Sequence, residues 1–581
     1  NSEVKILTFR DKEGKEVYWH TTAHIFAHAL KRLFKNTNIA IGPPIENGFY
    51  YDFDTKSFTE EDLVKIESEM KQIIKEKIPI QRKVISKADA LKLFKGNPYK
   101  TEMINEMPKD EIISIYKQGN FIDLCRGPHL PHTGKVKTIK LLKIAGAYWR
   151  GDEKNKMLTR VYGISFPDKK DLKQYLYILE EAKKRDHKKI GKELDLYSFH
   201  EEAPGFPFWH HKGLVIWNEL IAFWNKVHKE DGYEETKTPI LLKRKLWETS
   251  GHWANYKDDM YTLKVDDEDY AIKPMNCPGG MLLYKEKIHS YREFPLKAGE
   301  IGLVHRHELS GTLNGLFRVR AFHQDDAHIF MRPDQIKDQI LGVIKLLDKM
   351  YSVFDLEYHM ELSTRPEKSI GSDKQWESAT NGLKDALDST GKEYMINEGD
   401  GAFYGPKIDI HLKDAIGRTH QCGTIQLDMS LPEKFDLTYI AEDGSKKRPV
   451  MIHRVIYGSL ERFIGILVEH YAGKFPVWLS PVQAKILTVA DRFEPYAKKV
   501  KTELEKDNIR IEIDSRSETL DKKVRDAQLE KVPYIIVVGQ KDMDKKTITI
   551  RTREGVVEGA KKVADFKKRV LKEIRDKKTN P

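Results

Sequence analysis

Cysteine is scarce in this chain. Its 581 residues include only three, Cys125, Cys277 and Cys422. These are too few and too scattered for a disulfide framework, so each is free to act as a ligand, a site residue or a small core residue in a reducing compartment. Long apolar runs are missing as well. No stretch approaches the roughly 20 residues of a membrane span, and the start, Asn1-Ser2-Glu3-Val4-Lys5, has no apolar signal core. Both absences predict an intracellular, cytoplasmic protein with no membrane partner. There is also no internal repeat and no low-complexity tract, which excludes solenoid and fibrous classes.

Charge and core material are abundant. Hydrophobic residues make up 40% and charged residues 33% of the chain, the balance of a globular protein with ample interior. A chain this long exceeds one core and should divide into about three to five domains. The net charge of +11 is uneven, because residues 478–581 hold 26 Lys and Arg against 18 Asp and Glu. That surplus suits either a polyanion partner such as nucleic acid or a solvated basic surface.

Patterning suggests four segments: 1–168, a connector over 169–195, a large α+β region over 196–477, and 478–581. In the first, Ile39 to Pro44 and Gly48 to Phe53 read as two strands around a Pro/Gly turn. Val4 to Phe9 reads as a residual strand or the edge of a linker. Thr59 opens a helix through Lys77, with a capping residue and acids in its first turn. The connector, containing Leu179 to His187, is polar and helical. In the third, Lys407 to Leu412 is a strand and Ile336–Phe354 a long amphipathic helix. The last alternates strand and helix, with strands at Gln483 to Val489, Ile509 to Ile513 and Tyr534 to Gly539, the pattern of a small α/β domain with a parallel sheet.

Three distant segments carry one Cys and two His that can meet around an ion: Met275-Asn276-Cys277-Pro278-Gly279, Gln324-Asp325-Asp326-Ala327-His328 and Met451-Ile452-His453-Arg454. Three protein ligands on a tetrahedral Zn²⁺ leave its fourth position open, which marks chemistry or recognition rather than a structural staple. Arginines flank these segments. Arg306, Arg318 and Arg320 precede the second, and Arg462 follows the third. In Arg306-His307-Glu308 the arginine can grip a phosphate, a carboxylate can accept from an adenine amino group, and Phe322 can stack on the base. Taken singly, each feature also fits a charged surface hairpin. It is their joint presence with the Cys/His set that favours nucleotide chemistry.

At these residues the chain resembles class II aminoacyl-tRNA synthetases, Arg306 and Glu308 matching motif 2 and Gly458 to Arg462 matching motif 3. Lys273 to Gly279, Gly401 to Ile408, Gln421 to Asp428 and Val450 to Arg454 narrow the resemblance to threonyl-tRNA synthetases, from near Tyr18 to the C-terminus. The resemblance implies an α+β multidomain protein with an antiparallel-sheet catalytic domain (196–477), an N-terminal α+β editing domain (1–168) and a C-terminal α/β anticodon-binding domain (478–581). It implies one Zn²⁺ per subunit on Cys277, His328 and His453, binding threonine through its amine and hydroxyl. Gln324, Asp326 and Tyr404 would complete the amino-acid pocket. Arg306, Glu308, Phe322 and Arg462 would hold ATP, which enters with Mg²⁺, while Gln421 and Gln426 line the site and Arg318 and Lys407 lie near phosphate or carboxylate. The implied partners are threonine, ATP, tRNA(Thr) and a second copy of the chain in a homodimer. Two positions depart from the family. Its Cys-Pro-Gly-His segment ends here in Gly280, and the Asn that often follows the motif 2 arginine is His307.

A pocket that binds a hydroxyl rejects the analogue lacking it by roughly 10⁴–10⁵, which disposes of valine. Serine lacks only a methyl, and one methyl gives roughly 10–200-fold. A hydrolytic second site is therefore expected. His24 and His28 lie four apart on one helix face, and Asp123-x-Cys125-x-x-x-His129 adds a thiol and a third imidazole. These resemble the family's editing site, with Lys100 and Tyr50 where it places further pocket residues. From the residues alone, the same four groups could hold a second zinc ion or be ordinary core side chains. The family also commonly has a small ubiquitin-like domain ahead of the editing domain, whereas about twenty residues precede His24 here, so that domain is expected to be absent or trimmed. Two rival functions remain at this point, a deacylase using only the His/Cys cluster and a non-catalytic RNA-binding regulator.

Overall fold

The computed structural model of the chain describes residues 5–55, 58–108 and 110–578. It divides into two compact units, Asn1–Glu180 and Glu181–Pro581.

The first unit is built around helix α1 (Lys12–Leu33), in which every residue from Thr21 to Leu30 is buried. Apolar on several sides, α1 is enclosed rather than laid on a surface. Ile25, Phe26 and Leu30 share a core with Phe49, Tyr51 and Phe53 of β1 (Gly48–Asp54) and with Ile66, Met70 and Ile73 of α2 (Glu60–Glu76). The start of α2 lies where its capping signal points: Asp62 accepts from the amide and the hydroxyl of Thr59 at 3.1 and 3.0 Å. A meander of β2 (Ile80–Val84), β3 (Ser114–Gln118) and β4 (Phe121–Leu124) forms one antiparallel sheet, with α3 (Pro98–Glu106) between its first two strands in the chain. The other sheet pairs β1 with β6 (Met157–Phe166), and β6 with β5 (Thr138–Tyr148).

The first of the two strands expected around the Pro/Gly turn is broken into Asn38–Ile39 and Pro44–Ile45, each pairing with β1. Prolines 43 and 44 carry no N–H for a ladder, and Gly42 lies so close to Tyr51 that a Cβ there would stand 2.1 Å from its ring. Of the strand expected over 4–9, Val4 lies outside the described residues, and residues 5–8 form no strand.

The connector consists of α4 (Lys169–Arg185) and α5 (His187–Glu193), and the division between the units falls within α4. The second unit is dominated by an eight-stranded sheet. Its order is Glu234–Glu235, β7 (Leu296–His305), β8 (Ala321–Met331), β12 (Val450–Val455), β11 (Thr419–Asp428), β10 (Lys407–Lys413), β9 (Glu357–Ser363) and Tyr394–Asn397. The six named strands run antiparallel, and the two-residue and four-residue edges are parallel to their neighbours. Alternation divides the two faces. Ala327, Ile329, Ile452, Ile425, Leu427, Ile408 and Ile410 point to a core closed by α6 (His211–Glu230), α8 (Ile336–Ser352), α9 (Asp373–Thr390) and α10 (Leu460–His470). Between α6 and α8 in the chain lies α7 (Cys277–Lys285). The opposite face carries Asp326, His328, His453, Gln426, Thr424, Lys407 and Asp409. This polar face is the one that matters for chemistry.

The C-terminal sheet has the order β14 (Ile511–Asp514), β13 (Ala484–Thr488), β15 (Tyr534–Val538), β16 (Thr547–Thr552) and β17 (Val557–Lys562). Its first three strands are parallel, as the strand–helix–strand alternation of this segment led one to expect, but β16 and β17 are antiparallel. The sheet is therefore mixed rather than parallel. In β16 the alternation Thr547-Ile548-Thr549-Ile550 marks a strand buried on one face, but it does not say which strand it pairs with. Arg510 Nη1 reaches Glu219 Oε1 of α6 at 2.6 Å, and Trp478 is buried in the core of the large sheet. No helix among the described residues is long and apolar enough to cross a membrane.

Candidate active sites

His328 on β8 and His453 on β12 are direct cross-strand partners, and Gln426 on β11 is the next in the same row. Cys277 opens α7, reached through a turn from Lys273 and Pro274. The ligand atoms of Cys277, His328 and His453 lie within 4.8 Å of one another, and all three residues are buried. Three features of the donor set fit a zinc ion. His328 Nε2 is buried with no hydrogen-bond partner, and burial holds this imidazole neutral by pushing it down to about 4. His453 Nε2 meets Asp428 Oδ2 at 2.9 Å, a carboxylate that fixes the ring and leaves its other nitrogen to bind, the arrangement typical of zinc histidines. Burial, reinforced by Asp326 and Asp428, pushes the Cys277 thiol well up, and a bound cation would reverse that by deprotonating it.

Cys277, Gln324, Asp326, Tyr404, Gln426 and His453 line one open cavity of about 170 Å³ together with Arg306. Gln324, Asp326 and His328 alternate along β8 and so share a face. Asn276 Nδ2 donates to Asp326 Oδ2 at 3.3 Å. The space for Asn276 exists because its partner on β7 is Gly302, where a Cβ would come within 2.3 Å of the Asn276 amide. Tyr404 is buried, its ring 5.5 Å from that of His453.

Of the phosphate-type residues, Arg306 lines this cavity, and Glu308, Arg318, Phe322 and Arg462 do not. The Arg306 guanidinium sits 5.1 Å from the Phe322 ring, and its Nε donates to Pro274 O at 3.3 Å. Glu308 accepts from Arg318 Nε at 2.9 Å. Arg462 follows a turn in which Gly458 has φ +78° and lies against the Cys422 carbonyl, 2.4 Å from where a Cβ would stand. Arg462 Nη1 donates to Phe317 O at 3.1 Å, and the buried Cys422 thiol lies beside it. Gln421 and Lys407 lie off the cavity and converge on buried Asp409: Gln421 Nε2 on Oδ1 at 2.7 Å and Lys407 Nζ on Oδ2 at 2.8 Å.

The first unit holds a second constellation. The ligand atoms of His20, His24, Cys125 and His129 fall within 4.8 Å of one another. Cys125 Sγ is 3.3 Å from His20 Nε2 and 3.2 Å from His129 Nε2. Asp123 Oδ1 holds Lys100 Nζ at 2.6 Å, both side chains being almost fully buried, and its Oδ2 accepts from Tyr51 Oη at 2.7 Å. His24 Nε2 is 3.9 Å from Asp123 Oδ2. Burial lowers the proton affinity of His20, His24 and His129 and pushes the Cys125 thiol up to about 12. At neutral pH the imidazoles are uncharged and the thiol is protonated. An open cavity of about 460 Å³ reaches His20, His24, Lys100, Asp123 and Cys125.

Two of the expected residues lie elsewhere. His28 sits one helical turn beyond the cluster, its Nδ1 2.8 Å from Gln118 and its ring stacked on Phe121, facing a separate cavity. His20, one turn in the other direction, takes its place; the same four-residue spacing in His20-x-x-x-His24 was available to find it. Tyr50 points away from the site and stacks under Arg160 at 3.7 Å, while its neighbour Tyr51 points in, as strand alternation requires. Sequence reading also passed over Asp428 and Asp325. The latter accepts from the amides of Ile456, Tyr457 and Gly458 at 2.9–3.1 Å and from Trp224 Nε1, so it fixes the turn that delivers Arg462. Acids are common on surfaces, and no local pattern distinguished these two.

Residues 261–471 match the family profile described as tRNA synthetase class II core domain (G, H, P, S and T), and residues 477–573 match the anticodon binding domain. Residues 113–162 match the threonyl and alanyl tRNA synthetase second additional domain. The threonine–tRNA ligase of Carboxydothermus hydrogenoformans is 60% identical over 581 residues, covering 100% of this chain and 92% of that protein. That of Clostridioides difficile is 59% identical over 580 residues, covering 99% and 91%. Among solved structures, the RNA binding domain of threonyl-tRNA synthetase from Cryptosporidium parvum aligns with a TM-score of 0.65 at 40% identity, over 67% of this chain and 98% of that one. With this identity spread over its whole length, the chain belongs to the threonine–tRNA ligase family of class II aminoacyl-tRNA synthetases.

Proposed function

We propose that the chain activates threonine with ATP, transfers it to tRNA(Thr), and clears seryl-tRNA(Thr) in its first unit. The observation that carries the synthetic reading is the opening of Cys277 and His453 into the same cavity as Arg306. Cys277, His328 and His453 would hold zinc, which when bound supplies a Lewis-acid contact for the threonine amine and hydroxyl. Asp326 and Gln324 accept and donate around the amino group, and buried Tyr404 closes the pocket. Arg306 orients the α-phosphate, with Phe322 and Glu308 on the base side. Arg462 reaches the outer phosphates. Gln426 borders the pocket directly; Lys407, Gln421 and Arg318 act from its margin. ATP enters as its Mg²⁺ complex.

The division of labour is 1–168 for editing, 169–195 as connector, 196–477 for catalysis and 478–581 for the anticodon stem-loop, whose phosphates suit the basic surplus of that segment. A homodimer and a cytoplasmic location follow from the same reading. The test is ATP–pyrophosphate exchange run with threonine, serine and valine. Threonine is expected to support exchange, serine within roughly 10–200-fold of it, and valine roughly 10⁴–10⁵ below. Absence of threonine-dependent exchange, with hydrolysis of aminoacyl-tRNA retained, would leave the deacylase reading standing instead.

Discrimination against serine of only roughly 10–200-fold calls for hydrolysis. In the first unit, neutral His20, His24 and His129 retain lone pairs that orient or deprotonate water, and Lys100 paired with Asp123 fixes the polar wall of the pocket. Changing His24 and His129 together to alanine is expected to slow deacylation of seryl-tRNA(Thr) by roughly 10²–10⁴, the usual contribution of positioned acid–base groups. Threonine-dependent exchange is expected to stay unchanged, since it belongs to the other unit. Deacylation at the parental rate would make these imidazoles structural.

A further inference from the structure

We propose that His359, Glu361 and His411 form a binding site for a divalent transition-metal ion, separate from the Cys277 triad. His359 and Glu361 are two apart on β9 and so point to the same face. His411 on β10 is the direct cross-strand partner of His359. The facing pair His359 and His411 stands about 4.5–5.5 Å apart at Cβ, and Glu361 joins them from about 6.5 Å along β9, within reach of its longer side chain. All three ligand atoms lie within 4.8 Å of one another. His359 Nε2 is 3.2 Å from Glu361 Oε1, and His411 Nε2 is 3.7 Å from Glu361 Oε2. Nitrogen and oxygen ligands about 2.0–2.2 Å from a tetrahedral ion stand roughly 3.3–3.5 Å apart, so an ion fits between them with small side-chain shifts.

The two imidazole rings stack with centroids 4.9 Å apart at 14°. Neighbouring groups do not compete. The Asp409 carboxylate, beside Glu361 in the register, is already shared among Lys407, Ser363, Gln421 and Thr424. Asn397 Nδ2 donates to Glu361 Oε2 at 3.4 Å and steadies that carboxylate. With side chains 17–35% exposed, the site is open enough for an ion to enter and for water to complete its shell. The Asp186, His187 and Glu469 group, in which His187 and Glu469 are buried, looks similar but is spent, because His187 Nδ1 is on Glu469 and its Nε2 accepts from the Leu316 amide. Two imidazoles and one carboxylate select a first-row ion such as Zn²⁺, Co²⁺ or Ni²⁺ over Mg²⁺ or Ca²⁺, which prefer oxygen throughout. None of the three residues lines the cavity of the Cys277 triad.

The experiment uses the full chain already loaded with zinc, titrated with Co²⁺ under equilibrium dialysis and followed by visible absorption. The parent is expected to bind one equivalent more than the double variant His359→Ala/His411→Ala. The difference spectrum should show ligand-field bands without a near-ultraviolet thiolate-to-cobalt band, because this donor set has no sulfur. Equal stoichiometries would overturn the proposal, and so would a thiolate band in the difference, which would assign the lost equivalent to Cys125 or Cys277. Glu361→Gln keeps the shape of the side chain and removes its charge, and it carries the test should the double variant fold poorly. It is expected to weaken this equivalent at least tenfold while leaving threonine-dependent exchange unchanged; unaltered affinity would rule out the site as drawn.

Discussion

Cys277→Ser is expected to bring threonine-dependent ATP–pyrophosphate exchange down to background. Cys277 is the only sulfur in the triad and the only ligand outside the sheet, placed at the first residue of α7. Serine preserves the packing of this buried position but does not ionise under the same conditions, so the ion loses its one anionic ligand. The hydroxyl contact that goes with the ion is worth roughly 10⁴–10⁵ in discrimination, and its loss removes preference for threonine together with rate. Chelation of zinc from the parent should have the same effect, and returning Zn²⁺ should restore the parent but not the variant. Hydrolysis of seryl-tRNA(Thr) is expected to persist in both, which separates loss of the ion from general unfolding. Full exchange in a metal-free preparation would overturn the assignment.

Arg306→Ala and Arg462→Ala are each expected to lower exchange by roughly 10²–10³, or about 2.7–4 kcal/mol, the usual cost of removing a preorganised donor to developing charge. Arg306 is held ready by its contact to Pro274 O and by Phe322 beneath it, so little reorganisation accompanies binding. Arg462 is set in place by its Nη1 bond to Phe317 O and by the buried Cys422 thiol beside it. Arg462→Lys is expected to recover little, since an ammonium cannot reproduce the planar fork. The readout is exchange rate against ATP and threonine concentration, and near-parental rates in either alanine variant would remove that arginine from the phosphate site.

Much of the site was legible because its parts are short words of unusual residues. Asn276-Cys277-Pro278, the Arg306 segment and the Gly458 turn each combine a scarce side chain with a backbone requirement, and Gly458 shows why: its positive φ and the Cys422 carbonyl leave no room for a Cβ. The helix at α2 was legible from Thr59 and Asp62, and the parallel part of the C-terminal sheet from the alternation of strand and helix patterns over residues 483–539. The antiparallel β16 and β17 were not, since a strand's partner is fixed by non-local pairing and not by its own composition.

The sequence by itself determined which reactive groups this protein carries: one thiol and two imidazoles that can converge on an ion, arginines suited to phosphates, and a His/Cys set in the first unit. It did so because ligand type and spacing depend on residues, whatever surrounds them. The tertiary structure decided which of several equivalent candidates meet. His20 and His28 stand at the same spacing from His24, yet only His20 reaches Cys125, because successive turns of α1 meet different neighbours and His28, two turns on from His20, packs on Gln118 and Phe121 instead. Tyr50 and Tyr51 are adjacent and alike, yet strand alternation sends only Tyr51 to Asp123. His359, Glu361 and His411 carry no signal in the chain at all, since what unites them is the register of β9 with β10, and register is set by how the whole sheet packs.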